Sequence, residues 1–163
     1  MKILVLLVLA SALNAETTIY NSKAIVHPEV GKNGMVVSQH YLATNAGHSI
    51  LAEGGNAYDA SIAVAFALAV VLPRAGNIGG GGFMVMFDEA SQESYSIDYR
   101  ETAPEAATKN MFLAPDGSVD KKRATQGVLS IGVPGTVYGM WEVHKKFGSL
   151  PWSELLAPAI ELA

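Results

Sequence analysis

The chain has 163 residues, no cysteine and a formal net charge of -4. Half of its residues are hydrophobic and 16% are charged, which excludes a disordered chain and is enough for one domain with a sizeable core. It has no Lys/Arg-rich stretch to bind nucleic acid and no thiol for a disulfide, a zinc–thiolate site or a cysteine nucleophile.

The first residues read as an export signal. Lys2 is a short positive region, Ile3 to Ala10 an apolar run, and Ser11 to Ala15 ends in a small residue before Glu16. The apolar run is well short of the roughly 20 residues that span a bilayer. Residues 1–15 are therefore expected to be removed, leaving an exported chain, periplasmic or secreted, with no stable membrane span. Residues 16–34 are polar and mixed, which predicts an extended segment.

Met35 to Ser38 predicts a short strand. His40 to Glu53 predicts a helix stopped by Gly54 and Gly55. A second helix starts at Asn56, a capping residue, with Asp59 in its first turn, where a negative charge suits the positive helix end. From Ile62 to Leu72 it is apolar on every face, which predicts burial all round, and Pro73 ends it.

The stretch from Arg74 to Phe87, RAGNIGGGGFMVMF, holds four consecutive glycines before an apolar run. Its spacing fits neither a dinucleotide fingerprint nor a Walker A loop, and the order helix, loop, strand is the reverse of a phosphate cradle. The glycines predict a tight, buried crossing between the helix and a strand at Phe83 to Phe87. A hairpin turn at Asp88 to Gln92 leads to an alternating strand from Glu93 to Arg100. Tyr95, Ile97 and Tyr99 share one face of it; Ser94, Ser96, Asp98 and Arg100 share the other.

Thr102 to Asn110 is a polar connection, Pro115 to Gly117 a turn, and Lys121 to Arg123 a solvated basic cluster. A helix from about Thr136 to Phe147 follows Gly132–Gly135 and ends at Gly148. Another carries Pro151 in its first turn, with Leu155, Leu156, Ala159, Ile160 and Ala163 on one stripe. That pattern stops without a cap at Ala163, so the chain is expected to be one piece of a longer polypeptide. Trp141 and Trp152 are expected in the core or facing a partner.

No GxSxG elbow occurs, and His27, His40, His48 and His144 lack metal-ligand spacing and read as surface or capping residues. No carboxylate pair stands out. Arg100 is the best single candidate, because a guanidinium at a strand end can grip a carboxylate with two parallel hydrogen bonds. The residues alone leave open a local salt bridge to Asp98 or Glu101 instead.

The segments EGGNAYDASIAVAFALAVVLPRAGNIGGGGFMVMF, IDYRETAP and GVPGTVYGM, in that order, resemble the start of the gamma-glutamyltransferase (gamma-glutamyltranspeptidase, glutathione hydrolase) family. The likeness runs from about Met35 to Ala163, which would make residues 35–163 the front portion of the large-subunit domain. It implies an α/β (α+β) fold, the four-layer αββα sandwich of N-terminal nucleophile hydrolases, with only part of it in this chain. It also implies a precursor that cuts itself, and a small subunit whose new N-terminal Thr is the nucleophile.

The implied reaction moves a gamma-glutamyl group from glutathione or a related amide to water, an amino acid or a peptide through an acyl-enzyme, with no cofactor and no metal. The Arg of the family's D-[FY]-R-E-x-A-P block binds the alpha-carboxylate of the glutamyl group. Arg100 matches it, and Asp98 and Glu101 are expected to orient it. The glycine stretch becomes scaffold. No catalytic residue falls within these 163 residues, since Thr17 and Thr18 lie beside the signal cut, so the chain alone is expected to be inert. A cephalosporin acylase, a poly-gamma-glutamate depolymerase and a non-catalytic scaffold are the alternatives.

Overall fold

The computed structural model describes residues 28–163. The export signal, most of the segment 16–34 and His27 lie outside the described residues. Residues 28–32 belong to a separate unit and form no helix or strand; residues 33–163 form one compact unit.

The compact unit begins without the strand expected at Met35 to Ser38, which has no partner to pair with among the described residues. Its first helix, α1, spans Tyr41–Ala52, with the His40 ring as N-cap accepting from the Leu42 N–H. It ends in a Schellman motif: Gly54 takes a φ of 95°, its N–H donates to Leu51 O, and the Gly55 N–H donates to Ile50 O.

The second helix, α2, spans Ala57–Val71 and opens with a capping box between Asn56 and Asp59. Asp59, Ala60, Ile62, Ala63, Phe66 and Ala67 are buried, whereas Val64, Leu68 and Val71 are only half-buried. The expectation of burial all round is thus met on one face, because α1, α4 and α5 cover only part of the helix.

Strands β1 (Phe83–Asp88) and β2 (Glu93–Asp98) form an antiparallel hairpin in which Met84 faces Ile97 and Met86 faces Tyr95. These side chains and Tyr99 pack on the helical core. The other face of β1 carries Phe83, Val85 and Phe87, and Val85 is 82% exposed. The strand expected to be buried is therefore buried on one face only, since no second layer covers the other among the described residues.

A short helix α3, Lys121–Gln126, not foreseen in the sequence, starts at Asp120, whose carboxylate accepts from the Arg123 N–H. The basic cluster on it is exposed. Helix α4 spans Thr136–Phe147 as expected, and α5 spans Trp152–Leu162 with Pro151 as its N-cap and not in its first turn. On α5, Leu155 and Ala159 are buried, but Ile160 is 70% exposed. Ala163 is exposed as well, so the expected stripe is buried only at Leu155 and Ala159, with Leu156 half-buried, on a helix that packs against α2.

The core is a layer of helices on one face of the hairpin, built around Ile50, Ile62, Phe66, Met86, Met140, Val143 and Leu155. Each large aliphatic buried there contributes about 1.5–3 kcal/mol.

Candidate functional site

The end of β2 is where the sequence motifs converge. The Tyr99 N–H donates to Gly82 O at 2.9 Å and carries the ladder one residue past the strand. The chain then turns, because Asp98 Oδ1 accepts from the Arg100 N–H at 2.9 Å. Beyond the turn, Thr102 and Val133 exchange two backbone hydrogen bonds, at 3.2 and 2.8 Å. Arg100 is held between these two anchors.

Its guanidinium stands largely in solvent. Nε lies 3.5 Å from Glu101 Oε2, and Cζ lies 5.8 Å from the centre of the Phe83 ring. The pair to Glu101 runs through Nε on an exposed side chain, an arrangement in which the fork can turn to meet an anion. Of the two acids singled out with Arg100, Glu101 touches the guanidinium and Asp98 holds the backbone. At this exposure the Arg100–Glu101 pair is worth at most about 1 kcal/mol, which leaves it easy to rearrange around a ligand.

The glycine stretch packs on this same turn. Gly76 lies against Leu68 of α2, where a Cβ would come within 2.9 Å of backbone, so a helix does approach the loop there. Gly81 lies against Tyr99, Arg100 and Glu101, and Gly82 against the Tyr99 ring. The Gly80 carbonyl accepts from the N–H groups of Gly135 and Thr136, at 2.9 and 3.1 Å, capping the start of α4. Gly135 and Gly139 of that segment also press on Tyr99. The crossing expected from the sequence is thus mainly between the loop, the strand end and α4. Burial between these parts pushes the Tyr99 phenol above its ordinary value.

Asp59 sits at the far end of α4 and is fully buried. Its carboxylate accepts from the Asn56 N–H and from the backbone N–H and hydroxyl of Ser149. The sequence showed it only as a favourable charge at a helix start; an N-x-x-D capping box at residues 56–59 was the available signal for more. His144, expected at the surface or at a cap, is half-buried against Trp141 and Trp152 and bonds Leu150 O through Nε2. His40 is a cap as expected.

Comparison with known proteins bears directly on this turn. The chain matches the family described as gamma-glutamyltranspeptidase over residues 43–163, which includes the turn. It is 51% identical over 130 residues to a glutathione hydrolase proenzyme of Pseudomonas aeruginosa, covering 80% of this chain and 23% of that one. It is 47% identical over 156 residues to a protein of the same description from Pseudomonas sp. strain A14, covering 95% and 27%.

The solved structure of the Helicobacter pylori gamma-glutamyltranspeptidase superposes with a TM-score of 0.78 at 51% identity, over 84% of this chain and 39% of that one. The chain spans about a quarter of the length of the curated relatives it matches. By the extent of the family match and the closeness of its relatives, the chain belongs to the gamma-glutamyltranspeptidase family.

Proposed function

We propose that the protein carrying this chain is a gamma-glutamyl transferase and glutathione hydrolase, and that Arg100 holds the alpha-carboxylate of the glutamyl group. One observation carries the reading: an exposed guanidinium at a strand end, its Glu101 contact made through Nε, on a turn anchored from both sides, in a chain of this family. Relatives described as glutathione hydrolase proenzymes support the substrate class and a precursor that is processed.

The chemistry runs in two balanced halves. A hydroxyl nucleophile, the Thr expected outside this chain, attacks the gamma-carbonyl carbon. The C–O ester bond forms, the amide C–N bond breaks, and the hydroxyl proton goes to the departing amine. Water or an amino-acid amine then attacks the ester. Its new bond forms, the C–O bond breaks, and the proton returns to the Thr oxygen. The part of these residues is to bind and orient: Arg100 grips the carboxylate, Glu101 steadies the guanidinium through Nε, and Asp98 fixes the backbone turn. Such positioning lowers the entropic part of the barrier.

The same reading extends to architecture and location. The bare apolar face of β1, Phe83, Val85 and Phe87, supports a second sheet packing there, as in a four-layer αββα sandwich. Residues 1–15 act as an export signal and 35–163 open the large subunit. Among the described residues no helix is long and apolar enough to cross a membrane.

The test is Arg100→Lys in the full-length protein. Lys keeps the charge and loses the fork, so KM for glutathione rises roughly 10- to 100-fold while kcat falls much less. An unchanged KM removes Arg100 from the site.

A further inference from the structure

We infer that Gly81 and Gly135, from two separate loops, form a clamp on the Tyr99–Arg100 peptide and are positioning residues for Arg100. The inference rests on the role proposed for Arg100 and adds the parts that hold it.

A Cβ on Gly81 would lie 2.5 Å from Tyr99 O, 2.7 Å from Arg100 Cα and 2.8 Å from Glu101 N. A Cβ on Gly135 would come still closer to Tyr99 O and within 3.1 Å of Arg100 O. All of these neighbours are backbone atoms, which cannot swing aside as a side chain can. Neither glycine has a positive φ. Each is there for space and not for a special backbone angle, and the space it leaves is filled by one peptide, the one that leads into Arg100.

The two jaws are tied together. Gly80 O accepts from both Gly135 N and Thr136 N, so the loops cannot part without breaking those bonds. Tyr99 completes the grip. Its ring packs on Gly82 and Gly139, and its hydroxyl reaches Phe83 O at 3.4 Å. Strand pairing alone ends at Tyr99, so the clamp, with the Thr102–Val133 bridge beyond it, fixes the Arg100 Cα.

The experiment uses the full-length protein with Gly81→Ala, Gly135→Ala, Gly82→Ala and Gly79→Ala. KM and kcat are measured with glutathione and with the matching 4-aminobutanoyl peptide, the same donor without its alpha-carboxylate. A misplaced Arg100 hurts only the donor that bears the carboxylate. Gly81→Ala and Gly135→Ala raise KM for glutathione roughly tenfold or more, with kcat/KM for the 4-aminobutanoyl donor unchanged.

Gly82→Ala meets the Tyr99 ring at 3.0 Å, which can yield, so its effect has the same pattern and is smaller. It decides the matter if the stronger variants fail to fold. Gly79→Ala meets only Asn77 Oδ1 at 3.6 Å and stays at wild-type values. Folded variants with wild-type KM, or with equal losses on both donors, overturn the clamp. If Arg100→Lys still raises KM in that case, the substrate reading stands without it. Equal wild-type kcat/KM for the two donors overturns both.

Discussion

The Asp59 carboxylate and Ser149 meet across ninety residues of sequence: Oδ2 accepts from the Ser149 N–H at 3.1 Å and from its hydroxyl at 2.5 Å. Asn56 joins them, donating its N–H to Asp59 and its side-chain amide to Phe147 O at 2.7 Å. One buried carboxylate thus ties the start of α2 to the corner between α4 and α5. It also fixes the far end of the helix whose near end presses on Tyr99.

Asp59→Ala leaves the Asn56 and Ser149 donors without partners in a closed site. The expected loss is about 3 kcal/mol in chemical denaturation, against about 1 kcal/mol for Ser149→Ala, which removes a single hydroxyl. A loss below that of Ser149→Ala would show that the carboxylate does not hold the corner.

Gly54 tests the end of α1. Its φ of 95° is disfavoured for any residue with a Cβ, yet a Cβ there would meet nothing within 4 Å. The cost of Gly54→Ala is therefore backbone strain alone, about 1–2 kcal/mol. Gly54→Asn costs less, because Asn tolerates this region. Thermal melts of the two variants should rank in that order.

These two cases mark what could be read in the sequence. The caps of α1 and α2 and the bounds of α4 and α5 depend on residues within a turn of each other, so Asn56, Gly54 and Gly148 announced them. The partner of Asp59 stands ninety residues away, and no local pattern points to Ser149. Strand burial failed for a related reason. The apolar run of β1 says that both faces avoid water, but not which neighbour covers each. The family blocks led to Arg100, but the glycines that grip its backbone looked like scaffold, because closeness of two loops is invisible along the chain.

Tyr99 gives the site a signature in alkali. Burial raises its ionisation above the ordinary value of 10.0. The neutral ring is the form the fold prefers, so its stabilising effect is complete below pH 10 and declines as the pH rises through the higher folded value. Tyr99→Phe keeps the ring against Gly82 and Gly139 and has no proton to lose. Its stability should fall less steeply above pH 10 than that of the wild type. Parallel curves would mean that the phenol is freely solvated in the fold.

The outer face of the hairpin separates a closed sandwich from an open one. Val85 is 82% exposed in this chain and lies between Phe83 and Phe87, with Ser96 opposite it on β2. A contiguous apolar face of this kind is rare on a soluble protein unless something packs on it. A second sheet stacked there would sit about 10 Å away and bury Val85 completely. Val85→Lys then drives an ammonium into a dry interface and costs several kcal/mol, seen as lost folding or failed processing of the full-length protein. If the face is open to water, the same lysine is harmless and the protein melts and matures like the wild type, which would remove the four-layer reading. Val85→Thr, nearly the same shape with one hydroxyl, should show the same defect in weaker form, since burying that hydroxyl without a partner costs about 1–3 kcal/mol.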